Sequence, residues 1–230
     1  MKKEQLEYAA ARYGTPLYIF DLDILKKQTD RLRKALGKET GLCYAMKANP
    51  FLTEQMAEQA DRIEVCSMGE FEICRSLGIP PEKLFISGVL KKKEDIYLIL
   101  EIYGEKCRYT VESVRQLHYF LEWSDTHMKT LRLYPRLTNG SQFGMDEETM
   151  RSIVSIVNMS PYLEIEGIHY FSGTQKRHIR QFRQELQMLD RFLQKIRDEW
   201  NVEIRHLEYG PGTAVPYFIG KEAETYTDDG

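Results

Sequence analysis

Lys47 closes a short apolar run, Gly41-Leu42-Cys43-Tyr44-Ala45-Met46, and Ala48-Asn49-Pro50 follows it. The run has the length of one buried strand, and the Asn-Pro pair is its breaker. An ammonium at such a strand end loses hydration. That drives its pKa down and suits it to act as a nucleophile or to form a Schiff base. A strand-end lysine that snorkels to water satisfies the same segment, which alone leaves both readings open. Two further stretches carry reactive groups. Glu208-Tyr209-Gly210-Pro211-Gly212-Thr213 is a Gly-Pro-Gly turn directly after an apolar run. Glycine N–H groups can approach phosphate oxygens closely, although a plain tight turn has the same composition. Ile168-His169-Tyr170-Phe171-Ser172-Gly173-Thr174-Gln175 joins rings, hydroxyls and a glycine, the stacking faces and donors that a planar, phosphorylated ligand needs. His169 reads equally as a satisfied core histidine.

These segments lie at the ends of regularly spaced strand candidates: 42–47, 62–67, 84–88, 107–112, 130–137, 163–170 and 204–209. Helical patterns fill the intervals. Thr53-Glu54-Gln55-Met56 resembles a capped helix start, and Gly69 to Leu77 runs into a Gly78-Ile79-Pro80-Pro81 stop. Lys93 to Tyr103 closes at Gly104, Glu112 to Trp123 follows the fourth strand, and Asp146 caps 146–158. The longest helix, 176–200, carries Phe182, Leu186, Leu189, Phe192, Leu193 and Ile196 at helical spacing. Ahead of the first strand, 14–21 is extended and Asp21 caps a helix from Leu22 to Leu36. Strand and helix alternating in this way predict a parallel α/β sheet. No GxGxxG follows the first strand, which weakens an open dinucleotide fold. Strands instead end at Lys47, Ser67, Ser87, Glu112, Arg136 and 169–175, and a closed barrel gathers such ends on one face. Seven units are present, with a polar tail from Glu222 to Gly230 and no eighth strand.

A net charge of −3 and a pI near 6.0 supply no basic field for nucleic acid or an anionic membrane. Lys91-Lys92-Lys93, followed by Glu94-Asp95, reads as a solvated helix start. Glu4 and Glu7 interrupt any apolar signal region, and no apolar stretch is long enough to span a bilayer, so a cytoplasmic protein is expected. Cys43, Cys66, Cys74 and Cys107 form no CxxC pair and are expected reduced and buried. His118, His127, His178 and His206 lack ligand spacing, so no metal site is expected.

Several motifs then fall in one order and spacing. They are Thr15-Pro16-Leu17-Tyr18-Ile19-Phe20-Asp21, Tyr44-Ala45-Met46-Lys47-Ala48-Asn49, Glu64-Val65-Cys66-Ser67-Met68-Gly69-Glu70, Ile86-Ser87-Gly88, Gln142-Phe143-Gly144-Met145, Gly167-Ile168-His169 and Gly210-Pro211-Gly212-Thr213-Ala214-Val215-Pro216-Tyr217. From about residue 12 to 220 the chain resembles the pyridoxal-phosphate-dependent fold-type III decarboxylases, nearest to the diaminopimelate and ornithine/arginine enzymes. The resemblance implies an α/β, alanine-racemase-like (β/α)8 TIM barrel. Here that barrel would be incomplete, at about seven units, and without the family's C-terminal β domain. Residues 1–40 would be the N-terminal segment and helix, and 41–230 the cofactor-binding barrel, truncated before its last unit. By the same resemblance, catalytic Lys47 would hold pyridoxal 5'-phosphate as an internal aldimine. Glu64 and Ser67 would line the ring side, with His169 and Phe171 in the cofactor set. Thr174 and the backbone at Gly210, Gly212 and Thr213 would hold the phosphate. The expected reaction is decarboxylation of a small amino acid, free or carrier-linked, in a homodimer when full length. A racemase on the same barrel, or a non-catalytic cofactor-binding barrel, are the alternatives.

Three positions depart from the family pattern. Phe171 stands where the decarboxylases carry a stacking His, Pro211 replaces the middle Gly of the phosphate turn, and Glu64 replaces an Asp. The family's later Glu-Pro-Gly-Arg segment, whose Glu pairs with the pyridine nitrogen, does not occur before Gly230. The chain is therefore expected to be the N-terminal portion of a decarboxylase and to be inactive alone. Its first and seventh strands would then be open edges.

Overall fold

Two helices, α1 (Lys3–Tyr13) and α2 (Leu22–Leu36), precede the sheet in the computed structural model, which describes residues 2–88 and 91–215. The Asp21 carboxylate caps α2 by accepting from the Asp23 and Ile24 N–H groups, as its place in the sequence predicts. Strands and helices then alternate. They are β1 (Cys43–Ala45), α3 (Thr53–Gln59), β2 (Arg62–Val65), α4 (Met68–Ser76), β3 (Leu84–Ile86), α5 (Lys93–Tyr103), β4 (Arg108–Val111) and α6 (Val114–His127). After these come β5 (Leu131–Leu137), α7 (Glu147–Met159), β6 (Leu163–Ile165), β7 (Gly167–Phe171), α8 (Ile179–Trp200) and β8 (His206–Gly210). All pairings are parallel, in the order β1-β2-β3-β4-β5-β7-β8, with β6 beside the start of β5. Among the described residues no helix is long and apolar enough to cross a membrane.

The pleat divides each strand between two cores. Ile63, Val65, Leu84, Ile86, Leu131 and Leu133 face the helices and pack into one apolar cluster with Phe71, Leu100, Phe120 and Ile153. Alternate residues point the other way and meet one another. Arg62 on β2 donates to the Tyr134 hydroxyl on β5 at 3.1 Å and lies 3.7 Å from Glu208 on β8. Phe85 on β3 sets its ring edge against Tyr134 and His169. On a flat sheet β2 and β8 would stand five ladder steps, ~24 Å, apart. The 3.7 Å contact therefore requires the sheet to be curled. Seven strand positions in sequence order around a side-chain-filled interior make an incomplete TIM barrel. Among the described residues, β1 and β8 do not pair with each other.

One register offset decides what faces inward on β7. Leu133 of β5 is opposite Ile165, and Arg136 is opposite His169. Three residues of β5 thus match four of the neighbouring strand, and the extra residue is a bulge at Glu166–Gly167. The expected strand 163–170 is accordingly two pieces. Leu163 and Ile165 face the helices, as do Ile168 and Tyr170 beyond the bulge, while His169 and Phe171 face the barrel interior. Gly167 allows this because the Tyr134 ring fills the space beneath it. A Cβ there would lie 2.3 Å from Tyr134 Cε1.

Three local expectations are corrected. Thr53 is the first residue of α3 rather than its cap. Its hydroxyl donates back to the Pro50 carbonyl, and Leu52 precedes it without a side-chain cap. Lys91 is not part of a solvated face. Its side chain is 6% exposed, with Nζ donating to the Gly88 and Thr110 carbonyls and to Thr110 Oγ1. Of the four cysteines, Cys74 and Cys107 are buried, but Cys43 and Cys66 are only half-buried. Pro216-Tyr217 and the polar tail lie outside the described residues.

Two glycine substitutions separate these demands by sign. Gly167→Ala is expected to destabilise the protein by about 1–3 kcal/mol through overpacking against Tyr134. Gly69→Ala, in the open first turn of α4, is expected to stabilise it by about 0.5–1 kcal/mol. Denaturant midpoints measure both, and equal effects would contradict the packing described.

Candidate active site

β1 ends at Ala45, and a single 3-10 turn, Met46–Ala48, carries the chain out of the sheet. Tyr44 donates its hydroxyl to the Asn49 carbonyl at 2.7 Å, and Asn49 Oδ1 accepts from the Phe51 N–H, which clasps the turn. Met46 is fully buried, so Lys47 is turned to the barrel mouth with its side chain 53% exposed. Its Nζ lies 3.3 Å from Glu64 Oε2, 3.7 Å from Cys66 Sγ and 6.0 Å from the centre of the Phe171 ring. Partial burial pulls the ammonium pKa down, but Glu64 and Cys66 outweigh it and the net shift is upward. The expected depression is thus reversed, because the sequence does not reveal that Glu64 points at Lys47 across the β1–β2 ladder.

Behind Lys47 the interior becomes drier. Burial raises the Glu64 carboxyl, but Lys47, His169 and the Ser87 hydroxyl overcome this and hold it below the ordinary range. His169 is pushed down to about 3, mainly by burial and then by the positive charges of Arg136, Lys91 and Lys47. Its ring is neutral at pH 7, and its buried Nδ1 has no hydrogen-bond partner among the described residues. Arg136 donates to Glu112 at 2.7 Å, and burial pushes Lys91, beside this pair, down to about 8 against the pull of Glu112.

Two glycine turns form the other wall. Phe171 covers Gly210, where a Cβ would lie 2.7 Å from Phe171 Cδ2. The 172–176 and 210–214 turns are joined by Ser172 N–H to the Gly210 carbonyl, Lys176 N–H to the Gly212 carbonyl and Ala214 N–H to the Lys176 carbonyl. Gly212, at φ +65°, sits so close to Gly173 that a Cβ would fall 2.0 Å from the Gly173 oxygen. The N–H groups of Gly173, Thr174, Gly212 and Thr213 make no backbone hydrogen bond among the described residues. They are donors available to an anion, while Pro211 contributes none.

The chain matches the pyridoxal-dependent decarboxylase family, at its pyridoxal binding domain, over residues 22–228. It belongs to that family. Among curated relatives it is 26% identical over 99% of its length to L-glutamyl-[BtrI acyl-carrier protein] decarboxylase of Niallia circulans, covering 59% of that protein. It is 27% identical to diaminopimelate decarboxylase of Methanocaldococcus jannaschii, covering 95% of this chain and 55% of the relative. The crystal structure of the latter enzyme superimposes with a TM-score of 0.81 at 24% identity, over 95% of this chain and 56% of that one. This pyridoxal-dependent decarboxylase domain thus spans a little over half the length of the curated relatives it matches. The family's cofactor is pyridoxal phosphate. The residues present fit it: an amine at the mouth, a ring face at Phe171, an orphaned imidazole nitrogen, and a pair of turns packed so closely that a Cβ at Gly210 or Gly212 would clash.

Of the residues the sequence singles out, Lys47, Glu64, His169, Phe171, Gly210 and Gly212 converge on the mouth, with Thr174 and Thr213 exposed on the joined turns. Ser67 does not join them through its hydroxyl. Its Oγ caps α4 by accepting from the Glu70 N–H. The sequence marks Cys66 only as a buried thiol within a matched motif, Ser87 as a strand end within another, and Glu112 and Arg136 as polar strand ends, with no role for any of them. Their shared inward phase was the available signal. Lys91 was hidden by the charge of its neighbours.

Glu64→Gln removes the carboxylate beside Lys47 but leaves the burial, so the Lys47 pKa is expected to fall. NMR titration of the carbon-13-labelled Cε methylene of Lys47 measures this. An unchanged or raised pKa would contradict the pairing.

Proposed function

We propose that the protein decarboxylates an amino acid, with pyridoxal phosphate attached covalently through Lys47 Nζ. The observation that carries this reading is the seat of Lys47 at the barrel mouth, 3.3 Å from Glu64 and beside both Phe171 and the glycine turns. When bound, the cofactor supplies the electron sink for cleavage of the Cα–carboxylate bond. The chain's own residues do the rest. Glu64 orients the Lys47 ammonium and is the acceptor at hand for the proton that Nζ must give up before its lone pair can react, and the Phe171 ring offers an apolar face for stacking. His169, held neutral, can present one ring nitrogen as an acceptor without adding positive charge. Thr174, Thr213 and the free N–H groups of the glycine turns hold the phosphate end.

The substrate class is read from the relatives and from Phe171. Diaminopimelate, lysine and ornithine, which name the decarboxylases this chain is similar to, are one candidate class. A carrier-linked amino acid is supported by the similarity to the Niallia circulans enzyme over 99% of this chain. Phe171 stacks but moves no proton, which is consistent with chemistry displaced from the commoner decarboxylases. The acid that holds the pyridine nitrogen, and a partner subunit's side chains, are proposed to come from outside residues 1–230, in a full-length homodimer. This chain alone is expected to bind the cofactor and turn over little.

Incubation with pyridoxal phosphate, borohydride reduction and peptide mapping test the attachment. The expected outcome is a reduced label on Lys47, lost in Lys47→Ala. Labelling at Lys91 or at random surface lysines would sink it. Carbon dioxide release by the full-length protein from free amino acids, compared with their carrier-linked thioesters, then separates the substrate classes. Attachment with no release from either would favour the non-catalytic barrel.

A further inference from the structure

Beside the glycine turns lies a polar cluster that none of the roles above uses. Glu185, on the second turn of α8, accepts through Oε2 from the Ser172 hydroxyl and from the Tyr209 hydroxyl at 2.7 Å. Lys176 donates to the same oxygen and to Ser172, and its Nζ sits 4.5 Å from the Phe182 ring centre. Three segments therefore meet at one carboxylate oxygen: the turn after β7 through Ser172 and Lys176, the end of β8 through Tyr209, and α8 through Glu185. The Lys176 backbone lies in the ladder that joins the two turns, accepting from Ala214 and donating to Gly212. Burial raises the Glu185 carboxyl, but Lys176 and the two hydroxyls overcome it and hold it below the ordinary carboxylate range.

We propose that Lys176 and Glu185 are positioning residues for the cofactor phosphate, fixing the two glycine turns at the separation their N–H donors need. The inference rests on the phosphate-cradle reading given above. The side chains of the cluster are spent on one another and on the turns. Its two charges cancel, so its contribution is geometric rather than a net field at the anion. A cradle of backbone donors binds well only when the donors are already in place, because ordering them on binding would consume the gain. Glycines at 173 and 212 leave these turns little stiffness of their own, and the side-chain tie supplies it.

The test compares pyridoxal phosphate with pyridoxal, which has the same ring and aldehyde but no phosphate. Dissociation constants are measured by absorbance on the unmodified chain and on Lys176→Met, Glu185→Gln and their double variant. The unmodified chain is expected to prefer the phosphorylated form. Each single variant is expected to lose roughly tenfold or more of that preference, with pyridoxal affinity little changed, and the double variant no more than either alone. Lys176→Arg, which retains the cation and its donors, is expected to recover most of the preference. If Lys176 acted as a simple positive charge, the two single variants would move phosphate affinity in opposite directions, and that result would overturn the proposal. An undiminished preference in both variants would overturn it as well. Loss of affinity for both ligands alike, with a lowered melting temperature, would mark the cluster as general structure and reject it. An unmodified chain that binds both ligands equally well would reject the cradle itself, a failure distinct from that of the tie.

Discussion

Between β2 and β8 the Arg62 guanidinium faces Glu208 at 3.7 Å and the Tyr134 hydroxyl at 3.1 Å, with its Cζ 5.6 Å from the Tyr134 ring centre. A guanidinium inside a barrel is tolerable only when its charge and donors find partners, and those partners sit on strands far along the sheet. Satisfying Arg62 therefore bends the sheet. Arg108 on β4 adds a second such pair to the same inward cluster, donating to Glu166 at 3.0 Å. A sheet with apolar side chains on both faces could lie flatter between two layers of helices. This one carries charged groups on its inner face and is held curled by pairing them.

The same rule, carried to the mouth, makes the site. Glu64 is matched by Lys47 and Glu112 by Arg136, while the buried imidazole between them is kept uncharged. Of these charges only the Lys47 ammonium is substantially exposed. It is the cation that a ligand can reach without breaking a buried ion pair. The bulge at Glu166–Gly167 then selects which rings meet that ligand. It places His169 and Phe171 inward while Ile168 and Tyr170 remain in the helix-facing core.

Much of this was legible in the chain. Seven apolar runs gave the strand positions, and Asp21 and Asp146 cap their helices as their places predict. Lys47 and the Gly210-Pro211-Gly212 turn stood out because their residue types are unusual where they occur. What stayed hidden depends on direction rather than type. The 163–170 run reads as one strand, since a bulge changes phase without changing composition. Lys91 reads as solvated because its burial is created by Thr110 and Glu112, two segments further on. The raised Lys47 pKa follows from a carboxylate 17 residues away in sequence.

The two faces of the sheet also differ in when they can form. Helix-facing contacts join neighbours along the chain, one βαβ unit at a time. The inward contacts reach across several such units: Arg62 finds Tyr134 across 72 residues and Arg108 finds Glu166 across 58. Such distant pairings form late in folding, after the local units have taken shape. A nascent chain can thus hold much of its helix and strand content before Lys47, Phe171 and the glycine turns share one cavity. Cofactor capture would then report the completion of the curl rather than the presence of secondary structure.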